Sequence, residues 1–193
     1  MSNQIFNEIG LQGPTPIGGL VARGATVVPI TAGHATIAFK KGEVVEMTWT
    51  GHDTDPDKVK FLSILEPTPP AITTLGLNTS MKIYGVCLDD IAALATTGRV
   101  MLRGSCLAYC EGGGTVDITT GVFMYTGDGT ASTGMGSRNG SLDSIRNATI
   151  SQYIKPVAIY AGATAITTAT AGILRPVIFN GIEGFPAGYV EIA

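Results

Sequence analysis

The feature that most constrains the fold is a series of short apolar runs in the first half of the chain, each followed by turn-forming residues. The runs are rich in β-branched and aromatic side chains, which pack well on a pleated, half-buried surface. Gly33, Gly42, Gly51, Asp53 and Pro56 separate the runs and favour turns. The pattern predicts strands at residues 25–30, 35–39, 43–49, 59–65, 81–88 and 99–107. Short strands at this spacing are typical of a β-sandwich or a small β-barrel.

The composition supports a mainly β fold. Only 14% of the 193 residues are charged, and 26 are glycine. Few charges and many β-branched residues favour strands over helices, so we expect helix to be a minor component beside long Gly-rich loops. A surface with so few charges is more stable inside an interface than in contact with water.

Residues 1–20 are predicted to form an extended N-terminal arm. Glycines and prolines between residues 10 and 19 interrupt any regular element, yet apolar side chains recur at Ile5, Phe6, Ile9, Leu11 and Ile17. Polar disordered tails rarely carry such side chains. Two interpretations stay open: the arm becomes ordered on a neighbouring subunit, or it folds back on its own domain. Residues 21–193 are expected to form one β-rich domain, with a division into two lobes near residue 111 as the alternative.

The run at residues 99–103 suggests a contact surface. Alternation along a strand places Val100 and Leu102 on one face and Arg99 and Arg103 on the other. We therefore predict that the arginine face is exposed or meets a partner.

The second half of the chain shows a less regular strand pattern. A hairpin is predicted at residues 116–125, followed by a Gly-rich loop at 127–140 that is longer than ordinary connections. Ser141 is a candidate N-cap for a short helix, and a second short turn is predicted after Asp89 or Asp90. Strands are then expected at residues 150–160, 173–179 and 188–192.

No motif in the sequence assembles a catalytic, cofactor or metal site. There is no Gly-x-Ser-x-Gly elbow and no phosphate-binding loop, and the two histidines, His34 and His52, have no nucleophile partner in the sequence. The acidic stretch at residues 52–57 lacks the glycine and glutamate of a calcium loop. We therefore expect no enzyme activity, no cofactor and no metal. Cys87, Cys106 and Cys110 are expected to be buried free thiols.

Charge and hydropathy argue against two classes of partner. The 12 basic residues are scattered and the formal net charge is −3, so nucleic acid is not expected. The longest charge-free run, residues 156–174, contains glycines and threonines that disfavour a membrane helix, and strands with a turn are predicted there. No secretory leader is recognisable at the start of the sequence, which predicts synthesis in a cytoplasm.

Two segments resemble a known family. The first is Tyr84-Gly85-Val86-Cys87-Leu88-Asp89-Asp90-Ile91-Ala92-Ala93-Leu94-Ala95-Thr96-Thr97-Gly98-Arg99-Val100-Met101-Leu102-Arg103-Gly104, and the second is Lys41-Gly42-Glu43-Val44-Val45 upstream. They resemble "G-V-A-L-x-D-A-A-A-G … G-x-V-x-L-x-G" and the preceding "K-G-D-V-V" in small virion proteins of tailed bacteriophages, among them head decoration or cement proteins. The resemblance covers roughly residues 20 to 110.

The resemblance implies a structural virion protein on the capsid exterior, made in the host cytoplasm. Its partners would be the major capsid protein and itself, as a homotrimer, and its role would be to bridge and stabilise capsid subunits. The arm side chains Ile5, Phe6, Ile9, Leu11 and Ile17, with Arg99 and Arg103, are the predicted interface residues. Two alternatives stay open: a tail or head-fibre component that contacts the host through the loop at 127–140, and a β-barrel carbohydrate-binding or carbohydrate-active module.

Overall fold

The computed structural model describes residues 25–50, 53–55, 60–67, 82–111, 117–126, 140–143, 156–167, 172–182 and 184–185. These residues contain nine strands and no helix. The strands are β1 (Thr26–Ile30), β2 (Val44–Thr50), β3 (Lys60–Leu65), β4 (Ile83–Cys87), β5 (Gly98–Glu111), β6 (Phe123–Met124), β7 (Leu142–Asp143), β8 (Ala158–Tyr160) and β9 (Ile173–Asn180). The prediction of a mainly β fold is confirmed.

All nine strands belong to one open sheet, in which β5 is the central element. The main path runs β3-β2-β4-β5-β9-β8-β6, while β1 and β7 also pair with β5. On one edge of β5, β4 pairs with Val100 and Met101 and β9 pairs from Arg103 to Cys110. On the other edge lie β1 and β7, and β7 is the parallel neighbour in an otherwise antiparallel set of ladders.

The first part of the sheet curves into a ring of five strands. The order β3-β2-β4-β5-β1 is set by the ladders. Beyond β1, the amides of Thr31 and Ala32 donate to the carbonyl of Leu62 in β3 at 3.1 and 2.9 Å. This contact brings the two ends of the series together, close to the small barrel that the sequence indicates.

Two hydrophobic cores lie on opposite faces of the central strands. The ring core contains Ile30, Phe39, Val45, Met47, Ile64, Cys87, Ile91, Val100 and Leu102. The second core is formed between the outside of the ring and the later strands, and it includes Val44, Val86, Met101, Cys106, Ala108, Cys110, Ala158, Tyr160, Val177 and Phe179. Because both faces are covered at Val44 and Val45 in β2, along β4 and at residues 100–102 of β5, the sequence is continuously apolar or small in these stretches.

The pattern of buried side chains along β5 changes near Gly104. Val100, Met101 and Leu102 are all buried, whereas Cys106, Ala108 and Cys110 alternate with half-exposed residues. The pairing of β1 with β5 shifts by one residue next to Arg103, and Gly104 has φ +135°, which L side chains rarely adopt. The bulge carries β5 from the ring into the second layer.

Most predicted strands are observed. β1, β2, β3, β4 and β9 match their predictions within two residues at each end, and β5 continues four residues beyond the predicted end to Glu111. The arm at 1–20, the Gly-rich loop at 127–139 and the last predicted strand at 188–192 lie outside the described residues.

Three local predictions are wrong, and a fourth is correct only in part. Residues 35–39 contribute only a bridge between Phe39 and Ile91, because this segment packs on the connector after β4. Residues 117–125 form no hairpin, since β6 pairs with β8 and Ile118 bridges to Ile166. After Ser141, Leu142 and Asp143 form β7 beside β5, not a helix. The short turn predicted after Asp89 or Asp90 is observed, since the Ala95 amide donates to the Ala92 carbonyl at 3.1 Å. The two aspartates do not cap it; they bind Arg99 and the amide of Lys41.

A tight turn at residues 40–43 joins the two layers. The amide of Glu43 donates to the carbonyl of Lys40 at 3.0 Å, and Gly42 has φ +90°, as the third position of a type II turn requires. The Gly42 carbonyl accepts from the Tyr109 amide at 2.9 Å. A Cβ added at Gly42 would overlap Cδ2 of Leu174 in β9.

We predict that Gly42→Ala destabilises the protein more than Gly121→Ala. Gly121 has nearly the same φ, +91°, but nothing lies within 4 Å of its added Cβ. Gly121→Ala should therefore cost only the backbone strain, about 1–2 kcal/mol, and Gly42→Ala about 1 kcal/mol more for displacing Leu174. Equilibrium urea unfolding measures both free energies. Equal losses would show that the turn does not pack on β9.

Candidate interaction surfaces

In the described part of the chain, the outer side of the second layer includes a face without charged side chains. Alternation and register place eight residues on it, which we call the uncharged face: Ser105, Leu107 and Tyr109 of β5, Leu174, Pro176 and Ile178 of β9, Ile159 of β8 and Phe123 of β6. Ser105, Ile178, Ile159 and Phe123 are successive cross-strand neighbours in one row. The row therefore crosses all four strands.

Three of the eight residues of the uncharged face are exposed in the single chain, and the other five are half-buried. Ile178 is 45% exposed, Leu174 39% and Phe123 37%. The Phe123 ring also contacts the Phe185 ring, with centroids 6.4 Å apart. An antiparallel sheet with one face in water ordinarily alternates apolar and polar residues. An apolar outer face of this kind is typical of a surface that binds another protein.

The two segments quoted for the resemblance are adjacent in the structure. Cys87 accepts from the Gly42 amide at 2.8 Å and donates its own amide to the Glu43 carbonyl at 2.9 Å. The Asp90 carboxylate accepts from the Lys41 amide at 2.9 Å. The turn before β2 and the connector between β4 and β5 therefore form one unit.

The connector at residues 88–97 presents an exposed leucine on a well-supported loop. Leu94 is 72% exposed and has φ +58°, a conformation that is uncommon for a residue other than glycine. The Leu94 amide donates to the His34 carbonyl at 2.9 Å, and the Gly33 amide donates to the Ala95 carbonyl at 2.6 Å. His34 Nδ1 in turn accepts from the amides of Thr36 and Ile37 at 3.1 Å each. The loop therefore holds an apolar side chain in water at a conformational cost of about 1–3 kcal/mol.

Beside this loop lies an open depression of about 470 Å³, lined by Pro29, Ile30, Asp89, Asp90, Thr97, Gly98 and Arg99. An ion pair forms its charged wall: Arg99 donates from Nε and Nη2 to the two oxygens of Asp89 at 2.9 and 2.5 Å. This hydrogen bonding lowers the pKa of Asp89 and raises that of Arg99. The bidentate geometry fixes the start of β5 against the connector.

The structure separates the predicted interface residues. Ile5, Phe6, Ile9, Leu11 and Ile17 lie outside the described residues. Arg99 is half-exposed and bound to Asp89, while Arg103 is exposed. Between them, Met101 is fully buried in the second core, so the two arginines do not share one continuous exposed face. Their role at an interface stays a prediction.

The cysteines are buried in the two cores. Cys87, Cys106 and Cys110 are free thiols, as the sequence predicts. Burial raises the pKa of Cys106 to about 12 and also raises those of Cys87 and Cys110. Since the thiolate is the reactive form, the three side chains act as packing residues in the folded chain.

The described residues contain neither a metal-ligand cluster nor a membrane-spanning helix. No group of three or more His, Cys, Asp or Glu side chains is arranged to hold a metal ion. No helix in that part of the chain has the length and apolar character needed to cross a membrane.

Sequence reasoning missed Leu94 and the uncharged face. The signal for the face was present in the alternation of residues 105–109 and 174–178, whose outward positions carry no charge. Its extent became visible only when the register placed Ile159 and Phe123 in the same row. Leu94 lies in an Ala/Thr-rich segment that resembles an ordinary connector, and no sequence signal marks its exposure.

We predict that the Asp89–Arg99 pair stabilises the fold in a pH-dependent way. The pKa of Asp89 in the folded chain lies below its ordinary 3.8, so the stabilisation is present above that value and is lost as the pH falls through the folded pKa. Asp89→Asn should therefore be less stable than the unmodified protein at neutral pH and equally stable in strong acid. Thermal melting across this pH range measures the difference, and Arg99→Gln is the matched variant. A difference that stays constant with pH would contradict the assignment.

No family model, no curated protein and no solved structure matches this chain. Function is therefore argued from the described surfaces and from the two segments that carry the resemblance.

Proposed function

We propose that the chain is a structural virion protein of a tailed bacteriophage, a capsid decoration or cement protein that bridges and stabilises major capsid protein subunits on the head exterior. The observation that carries this proposal is Leu94, which the connector holds exposed at a positive φ. This loop belongs to the segment on which the phage resemblance rests, so the resemblance and the exposed surface coincide.

The arrangement around Leu94 supports protein binding. Strained and exposed residues persist when the surrounding structure holds them, and they concentrate at functional positions. Here the support is a set of backbone hydrogen bonds to residues 33 and 34. Protein interfaces combine apolar anchors with a polar rim, and the Asp89–Arg99 depression next to the loop supplies charged groups for that rim.

The composition fits a protein that completes its burial in an assembly. Apolar side chains are exposed in the described chain at Leu94 and across the uncharged face. Many copies bound to a repeating coat lattice would each contribute a modest contact, and their sum would stabilise the shell.

The two alternative functions would use different sites. A tail or fibre role would place the host contact in the loop at 127–140, most of which lies outside the described residues. A carbohydrate module would use a cleft with free carboxylates or aromatic rings. The described depression contains no aromatic residue in its lining, and Asp89 is bound to Arg99.

We predict that Leu94→Asn weakens binding to expanded, undecorated heads of the encoding phage by about tenfold or more, as expected for an interface anchor. Asparagine tolerates a positive φ better than leucine, so the variant should fold at least as well as the unmodified chain. Co-sedimentation with heads measures binding, and thermal melting measures folding. Trp49→Gln is the control, since Trp49 is exposed near the opposite end of β2 from the connector. Unchanged co-sedimentation of Leu94→Asn would refute this role for the loop.

We also predict that deletion of residues 2–20 weakens attachment to heads. The deleted segment carries Ile5, Phe6, Ile9, Leu11 and Ile17, which would bury apolar surface across the seam between capsid subunits. Circular dichroism should still show a β fold, because the described residues of both cores all lie beyond position 24. If the shortened protein sediments with heads as the full chain does, the arm has no part in attachment.

A further inference from the structure

A histidine ring holds the turn that supports residues 92–95, here called the Leu94 loop. His34 Nδ1 accepts from the backbone amides of Thr36 and Ile37 at 3.1 Å each, and Thr36 Oγ1 lies 3.5 Å from the same nitrogen. Asn, Asp and Ser ordinarily occupy the first position of such a turn, because their side-chain oxygens accept from amides two or three residues further on. In this chain the acceptor is a nitrogen that can bind a proton.

The turn lies between two attachments to the connector. On one side, the Leu94 amide donates to the His34 carbonyl at 2.9 Å. On the other side, Phe39 and Ile91 exchange two backbone hydrogen bonds, at 2.9 and 2.8 Å. The rings of His34 and Phe39 also meet edge to face, with centroids 6.3 Å apart. The shape of the turn therefore affects the position of the Leu94 loop.

We propose that His34 is a proton-sensitive support of the Leu94 loop: the neutral ring holds the loop in the described conformation, and protonation of Nδ1 releases it. The proposal concerns the isolated chain and does not depend on the virion role. When the neutral ring carries its proton on Nε2, Nδ1 offers its lone pair to the two amides. Once protonated, Nδ1 is a donor that faces two other donors, so both hydrogen bonds are lost. Histidine side chains ordinarily change charge between about pH 5 and 8.

The segments that meet at this turn contain few other charges. Residues 33–38 have no ionisable side chain besides His34, and residues 91–97 of the connector have none. The contact with β3 at Leu62 and Ser63 is also uncharged. The charged residues that flank the two segments are Lys40, Asp89 and Asp90, and both carboxylates accept hydrogen bonds. Lysine and aspartate side chains ordinarily change charge outside the range of histidine, so a response within that range is assigned to His34.

Thermal melting of the full-length protein tests the role of the proton. The unfolded chain lacks the two amides facing Nδ1, so it binds the proton more readily, and stability should fall as the pH falls from about 8 to about 5. In His34→Asn, Oδ1 replaces Nδ1 as the acceptor and gains no proton in this range. The melting temperature of the unmodified protein should therefore fall relative to that of His34→Asn, by about 2–4 °C for each hydrogen bond lost. A difference that does not change with pH would overturn the proposal.

Nuclear magnetic resonance tests the link between the ring and the loop. Correlation spectra of the imidazole nitrogens should show a proton on Nε2 of His34 and none on Nδ1 at about pH 8. On acidification, the amide signals of Thr36, Ile37 and Leu94 should shift together with the ring signals of His34. A proton on Nδ1 at the start, or a Leu94 amide that does not follow the ring, would overturn the proposal.

Three variants separate the ring nitrogen from other effects of acid. In His34→Asn the amide signals of the turn and of Leu94 should stay fixed across the pH range. His34→Phe keeps an aromatic ring and removes the acceptor, so these signals should resemble those of the acid form at every pH. His52→Asn removes the other histidine of the sequence and should leave the response unchanged. If His34→Asn responds to acid as the unmodified protein does, His34 is not the proton-sensitive group.

Discussion

The structure depends on the hydrogen bonding of β5. Four strands pair with it, β4 and β9 along one edge and β1 and β7 along the other. Its first three apolar residues contribute to both cores, since Val100 and Leu102 face into the ring and Met101 faces the second layer. A charged or proline residue in this stretch would disturb both cores and several ladders together.

The glycines of the chain have specific positions in this architecture. Gly104 allows β5 to pass from the ring to the second layer, and Ala25 packs where a Cβ at Gly104 would lie. Gly181 approaches the backbone of Tyr84 so closely that a side chain there would meet the Tyr84 carbonyl. At these points the chain needs either an unusual φ or close backbone contact, and glycine supplies both. The high glycine content is therefore partly a requirement of the described fold, beside the long loops.

The sequence predicts the local part of the fold better than the long-range part. Alternation and continuous apolar runs located β1 to β5 and β9, because those strands are long enough to show a pattern. β6, β7 and β8 are two or three residues long and are stabilised by partners distant in sequence. Neither their pairing nor the strand at Leu142 and Asp143, where a helix was expected to begin, could be predicted from local propensity. The interaction surfaces depend on this pairing. For this reason Arg99 and Arg103 could be proposed as interface residues from the pattern of a single strand. The exposed positions of Leu94, Ile159 and Ile178 could be recognised only from the three-dimensional structure.

The position of β5 in the chain also affects how the protein reaches its native state. β2, β3 and β4 pair with one another over shorter sequence separations than β1 and β5 do. β1 can pair only after β5 has been synthesised, as the pairing of Thr26 with Arg103 illustrates. During synthesis the first four strands leave the ribosome with the ring unclosed and one edge unpaired. Folding dominated by such distant pairings is slow and exposes strand edges to aggregation. Assistance from chaperones during this interval would raise the yield of folded chains.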